Sequence, residues 1–240
     1  MNTGMRQGLI RFFSAPPMPC PYLAGHLERQ VVTMLSGIEN PDELHTLLGQ
    51  SGFRRSYNIA YKPACDNCNA CVPVRVRCSD FKRTKSQRRV WNKSSVTSVR
   101  VMPPEATGEH YDLFESYQTA RHAEGSMSKM TFTDYADMIQ ETPVDTYLIE
   151  FRGENNQLIG AALTDNLQDG MSMVYSFYDP VLESESPGKY FILWHIEQLQ
   201  KRSLPYLYLG YWIHQSQKMS YKSQFKPIEY LKGETWVDLT

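Results

Sequence analysis

Residues 186–203, SPGKYFILWHIEQLQKRS, constrain the fold more than any other stretch. Ser186 followed by Pro187 marks a helix start, because a proline at the first helical position gives up an N–H that has no intrahelical acceptor anyway. Apolar residues then cover most of the helix circumference, so the helix must lie buried against a sheet. The strands of that sheet are read on either side. DTYLIEFRG (145–153), QLIGAALTDN (157–166) and GMSMVYSFYDP (170–180) are strand-like runs joined by the turn sequences ENN and LQDG, which predicts an antiparallel meander. After the helix, PYLYLGYW (205–212) has almost no polar residue and reads as a strand.

The rest of the chain supplies shorter elements. SAPPMPCPYL (14–23) is proline-rich and extended, and DELHTLLGQSGF (42–53) is a short helix stopped by glycine. RRSYNIAYKP (54–63) and CVPVRVRCSDF (71–81) read as two strands around a cysteine turn. In the second, Val72, Val74, Val76 and Cys78 share one face, so Arg75 and Arg77 project together from the other. TKSQRRVWNKS (84–94) is a basic helix, VTSVRVM (96–102) a strand, and residues 105–125 and 131–142 two further helices. FKPIEYLKGETWVDL (225–239) is a hairpin around Lys232-Gly233. This order predicts an α+β fold with a mixed sheet and a helix crossing it.

No run approaches the roughly 18 apolar residues of a membrane span. MNTGMRQGLIRFF breaks its apolar run at Arg11, so a signal peptide is not expected and the chain reads as cytosolic. In that compartment thiols stay reduced, which disfavours disulfides among the five cysteines. Cys65, Cys68 and Cys71 have the spacing of a metal-binding turn, and Cys20 could complete a tetrahedral sulfur site for zinc or iron. Cys78 lies too far along for the ferredoxin pattern. Net charge is only −1, yet residues 54–100 hold twelve Lys or Arg against Asp66 and Asp80 alone. Such a block, with aromatic and branched residues interleaved, points to a polyanionic partner such as nucleic acid.

Several blocks in order, PCPYLAG, GFRRSYNIAYKPACDNCNACVPVRV, KSQRR, GSMSKM, VYSFYDP and YLYLGYWIHQSQKMSYKSQFKPIEYL, resemble the bacterial aspartate/glutamate leucyltransferases, relatives of the eukaryotic arginyl-tRNA-protein transferases. The resemblance spans residues 19–231. It implies transfer of leucine from leucyl-tRNA to the α-amine of proteins that begin with Asp or Glu, which marks them for the N-degron pathway. It also implies a small N-terminal domain (1–80) followed by a GNAT-like acyltransferase domain (81–240). The pattern departs at Ala24-Gly25-His26, where the family usually has Pro-Gly-Arg, and at ESESPGKY, which lacks a frequent basic residue. The eukaryotic relatives' N-terminal cysteines keep an iron-sulfur cluster in view.

An aminoacyl ester is already activated, so no ATP and no cofactor is required. Placement of two large substrates is the main task, contributing roughly 7 to 11 kcal/mol. The expected contacts are Arg54, Arg55, Arg75, Arg77, Lys85, Arg88 and Arg89 on tRNA phosphates, and Arg121, Lys218, Tyr221 and Lys222 on the acceptor's N-terminal residue. Tyr175 or Tyr211 would donate to the oxyanion, Asp165 or Asp169 would orient the ammonium, and Met127, Met130 and Trp212 would line a leucine pocket. The partners are then leucyl-tRNA and proteins with N-terminal Asp or Glu, with no membrane. Alternatives are an arginyl-tRNA donor, an acyl-CoA-dependent acetyltransferase, and a nonenzymatic RNA-binding module.

Overall fold

A computed structural model describes residues 9–239. In chain order the elements are β1 (Phe12–Ser14), β2 (Met18–Pro19), β3 (Leu27–Glu28), β4 (Gln30–Met34), α1 (Pro41–Gln50), β5 (Arg54–Ser56), β6 (Ile59–Pro63) and β7 (Val72–Arg77). Next come α2 (Lys85–Lys93), β8 (Ser98–Met102), α3 (Gly108–His122), α4 (Phe132–Gln140), β9 (Thr146–Arg152), β10 (Leu158–Leu167) and β11 (Gly170–Tyr178). The chain continues with α5 (Pro187–Lys201), β12 (Tyr206–Trp212), β13 (Ile228–Lys232) and β14 (Thr235–Asp238).

A small sheet of order β1-β4-β6-β5 stands beside a large mixed sheet of order β14-β13-β7-β12-β11-β10-β9-β8. The α+β fold is therefore the one expected, with β9, β10 and β11 as the meander and α5 as the crossover to β12. That pair is parallel, while the other pairs of the large sheet are antiparallel. The alternation in VPVRVR places β7 between β13 and β12, with Val74 and Val76 buried in the core. The large sheet thus takes an interior strand from the N-terminal side of residue 80.

Two layers of helix cover the sheet. On one face α5 buries Phe191, Leu193 and Leu199 completely, as its all-round apolar pattern requires. His195 on the same helix is satisfied core: Nδ1 bonds Phe191 O at 2.7 Å and Nε2 bonds the Thr164 hydroxyl at 2.9 Å. Burial, opposed by the Phe191 bond, lowers it to about 4 and keeps it neutral. On the other face α3 and α4 bring Phe114, Tyr135 and Ile139 against Leu148, Leu163 and Phe177. Each such side chain contributes roughly 1.5 to 3 kcal/mol by leaving water.

One element differs from its expectation. RRSYNIAYKP is a hairpin, not a single strand: β5 and β6 pair antiparallel from Arg54↔Tyr61 to Ser56↔Ile59. Its turn carries Tyr57 at φ 52, the left-handed region that a non-glycine residue rarely adopts. Packing holds it there, because the Tyr57 ring sits against the aromatic cluster under α3 and α4. The hairpin thereby docks the small sheet onto the large one.

Candidate active site

The parallel pair β11–β12 is short. Only Gly170↔Tyr206, Met171↔Leu207 and Ser172↔Tyr208 are in register, after which β11 continues along β10 to Tyr178 and β12 along β7 to Trp212. The two strands therefore part, and their facing edges lose ladder partners that a buried backbone group needs. Two cations supply them. Arg54 Nη2 donates to Met173 O at 2.9 Å and Val174 O at 2.7 Å on β11. Lys222 Nζ donates to Leu209 O at 2.8 Å and Tyr211 O at 2.7 Å on β12.

Gly210 makes the arrangement fit. It has φ +73, coincides with a register shift between β12 and β7, and lies under the Arg54 side chain. Lys222 is buried, and burial first, then the charge of Arg54, lowers it from 10.5 to about 7. The gap between the strands is thus floored by positive charge.

Tyrosines of both strands stand beside the carbonyls these cations hold: Tyr175 follows Val174 on β11, and Tyr211 itself gives one to Lys222. The Tyr175 hydroxyl on β11 accepts a hydrogen bond from Gln118 Nε2 of α3, which leaves its own proton free to donate. Burial pushes Tyr175 up to about 12, against the pull of Gln118. Tyr211 differs. Its hydroxyl proton is shared between Gly52 O at 3.1 Å and Tyr61 O at 3.0 Å, so it ties the small sheet to β12 and has nothing to offer an oxyanion. Tyr221 is half-buried beside the α5-side core, with its titration raised by burial.

The expected leucine pocket is divided by the sheet. Met127 and Met130 pack against the same buried cluster as Val174 and Tyr175, on the α3–α4 face, whereas Trp212 packs on the α5 side with a buried Nε1 that has no hydrogen-bond partner among the described residues. The two methionines and Tyr175 thus share one cluster, and Trp212 belongs to another. Arg121 lies at the far end of β11, its guanidinium on Glu183 and 5.9 Å from the Tyr178 ring centroid. The side chain of Lys218 lies outside the described residues.

Asp165 is not placed to orient an ammonium. Asp165 has no exposure: Oδ1 accepts from Arg55 Nη2 at 2.7 Å and Thr146 Oγ1 at 2.8 Å, and Oδ2 pairs with Arg55 Nε at 2.8 Å and His45 Nε2 at 2.9 Å. Burial alone would raise its titration, but His45 and Arg55 outweigh it and bring the group to about 2. Asp169 lies at the closed end of the β11–β12 pair, where Oδ2 accepts from Gln50 at 3.0 Å and Tyr208 at 2.8 Å.

The basic block also divides. Arg55 is consumed by Asp165. Arg75 is buried on Glu229 at 2.7 Å and stacked over Tyr206, and Arg77 bonds Glu229 and Asp80, both at 2.8 Å. These three correct the expected phosphate set, because a cation with a carboxylate already on it offers little to a phosphate. Lys85, Arg88 and Arg89 of α2 are exposed and have no carboxylate partner among the described residues. The helix that carries them begins with a capping box of Thr84 and Gln87. It is anchored by Trp91 stacked on Tyr190 at 4.9 Å and by Gln87 Nε2 donating to Gln224 O at 3.0 Å. Lys189, at the start of α5, reaches the same Gln224 at 3.1 Å. The α2 cations therefore flank the segment that delivers Lys222. Sequence reasoning missed Gln118, Gly210 and Lys189, and of these only Gly210, a glycine inside an apolar strand, carries a visible signal.

Cys20, Cys65, Cys68 and Cys71 line a cleft of about 420 Å³ with His26, Lys62 and Lys232. Burial, then the neighbouring Cys20, Cys65 and Cys68, push Cys71 up to about 12, so its thiol stays protonated. The Cys65 thiol is engaged with the Arg29 backbone, as acceptor at 3.5 Å and donor at 3.8 Å. Among the described residues no group of three or more His, Cys, Asp or Glu is gathered into a metal-ligand set as the side chains stand. Nor is any described helix long and apolar enough to cross a membrane.

Chemically, the site joins a cationic floor, a phenol with a free proton, an apolar methionine wall and a basic helix alongside. Over most of its length the chain is similar to known proteins. An aspartate/glutamate leucyltransferase of Parvibaculum lavamentivorans is 48% identical over 98% of this chain and 98% of its own length. Those of Paramagnetospirillum magneticum (44%, covering 94% and 92%) and Granulibacter bethesdensis (47%, covering 95% and 85%) are similar. Among solved structures, L-PGS from Bacillus licheniformis aligns over 59% of this chain and 45% of its own at TM-score 0.47 and 12% identity. The models for the N terminus and the C terminus of arginine-tRNA-protein transferase match residues 18–89 and 109–232, and the chain belongs to that family.

Proposed function

We propose that the protein transfers leucine from leucyl-tRNA to the α-amine of proteins that begin with Asp or Glu, yielding products for the N-degron pathway. The observation that carries this reading is the parted β11–β12 pair, with Arg54 and Lys222 on its freed carbonyls and Tyr175 next along β11. The amine attacks the ester carbonyl carbon, a C–N bond forms, and the C–O bond to the terminal ribose breaks. The ribose oxygen leaves as a hydroxyl, and the net proton lost by the ammonium goes to solvent. A fraction on the order of 10% of such an amine is neutral at pH 7 without help, so no strong base is required.

In this scheme Tyr175 donates its free proton to the oxyanion, a contribution of about 3 to 4 kcal/mol. Lys85, Arg88 and Arg89 hold the tRNA backbone, and Lys222, Tyr221 and Arg121 lie toward the acceptor. Met127 and Met130 present an apolar surface to the leucyl side chain. The test mixes purified protein with charged leucyl- or arginyl-tRNA and peptides starting with Asp, Glu or Lys. Leucine on the Asp and Glu peptides alone is the expected result; transfer to none of them, or only from arginyl-tRNA, overturns the reading.

A further inference from the structure

Arginine burial in this chain follows a rule with one exception. Among the described residues Arg29, Arg55, Arg75, Arg77, Arg83 and Arg152 are all at least partly buried, and each has a carboxylate within ion-pair distance. Arg54 is likewise partly buried and has none. Only its Nη2 is used, on the carbonyls of Met173 and Val174, while Nε and Nη1 have no acceptor among the described residues. A guanidinium withdrawn from water without a counterion is costly, and such sites persist where a ligand completes them.

The surroundings are built for this side chain. The carbonyls fix its plane, and a left-handed glycine at position 210 gives it room. A second cation, Lys222, belongs to the same floor and also lacks a carboxylate. Tyr22, Tyr211, Tyr221 and Lys222, whose titrations the charge of Arg54 lowers, carry no negative charge at neutral pH.

We propose that Arg54 is the specificity-determining residue for the acceptor: its unused N–H groups receive the side-chain carboxylate of the N-terminal Asp or Glu, which supplies the counterion this one arginine lacks. The assignment rests on the leucyl-transfer reading and moves Arg54 from the tRNA to the peptide. A neutral Asn or Gln at the peptide's first position forfeits a charge-assisted hydrogen bond and leaves the guanidinium uncompensated.

The test compares Glu- and Gln-starting peptides of otherwise equal sequence on wild type, Arg54→Gln and Arg54→Lys. Peptide affinity is measured by NMR titration without tRNA, kcat and KM in the transfer assay, and leucyl-tRNA affinity against salt. Wild type should favour Glu over Gln by about ten- to a hundredfold, mainly in KM. Arg54→Gln should bring that ratio close to one with leucyl-tRNA affinity and its salt slope unchanged, and Arg54→Lys should restore part of it. If Arg54→Gln weakens both peptides in equal proportion, or lowers the tRNA salt slope while keeping the Glu preference, the assignment is overturned. Should wild type transfer leucine to neither peptide, the leucyl-transfer reading fails, and the titration still decides whether Arg54 reads a carboxylate.

Discussion

A Cβ at Gly210 would stand 1.6 Å from Arg54 Nη1 and 2.3 Å from its Cζ, so the strand and the guanidinium occupy their places together or not at all. Gly210→Ala adds the strain of a left-handed φ, about 1 to 2 kcal/mol, and expels Arg54 from the carbonyls of Met173 and Val174. The expected outcome is a drop in kcat/KM for a Glu-starting peptide of at least about tenfold, with a lowered melting temperature. Steady-state transfer kinetics and a thermal melt check it.

Asp165 carries the charge balance between the small and large sheets. Asp165→Asn leaves Arg55 buried without a counterion, which should cost about 3 to 5 kcal/mol in urea denaturation at neutral pH. The folded-state pKa is depressed to about 2 from 3.8, so the stability due to ionisation is fully present above the ordinary value and is lost as pH falls from there toward 2. The gap between wild type and Asp165→Asn should therefore narrow across that acid window.

Lys222 is linked to stability with the same sign, in an alkaline window. Its folded-state pKa, about 7 against 10.5, means that the unfolded chain binds more protons between those values. Wild-type stability should accordingly rise as pH increases from 7 toward 10, and Lys222→Met should remove that component of the slope. Loss of the hydrogen bonds to Leu209 O and Tyr211 O shifts stability at every pH and leaves the slope alone, so the two effects separate in denaturation curves at several pH values.

On α2, Arg88→Glu with Arg89→Glu should weaken leucyl-tRNA binding most at low ionic strength. The slope of log affinity against log salt should fall by about 0.7 to 0.9 for each phosphate deprived of its cation. Arg75→Met serves as the contrast. It should lower stability through the orphaned Glu229 and leave the salt slope where it was.

Much of this architecture can be read from local sequence. The Ser186-Pro187 helix start, the meander, the alternation in VPVRVR and the Lys232-Gly233 turn all come from patterns within a dozen residues. What could not be read depends on partners far along the chain. The hairpin in RRSYNIAYKP was hidden because Tyr57 holds a turn conformation that its own chemistry disfavours, imposed by packing on α3 and α4. Arg55 and Asp165 are separated by 110 residues, and Arg75 and Glu229 by 154, so a local excess of positive charge says nothing about which cations are already neutralised. The separation of a basic block from an acidic body, read as a sign of nucleic-acid binding, is partly internal wiring. Within the block, Lys85, Arg88 and Arg89 on α2, like Arg54, have no carboxylate partner among the described residues.

The position of β7 has a further consequence. Within the large sheet β13 and β14 join the other strands only by pairing through β7. The terminal hairpin therefore has no docking edge until Val72–Arg77 is in place, and its formation is templated by a stretch made about 150 residues earlier. An excised C-terminal half would expose the raw edge of β12, so any transplant of the catalytic scaffold into another protein must bring this early strand with it.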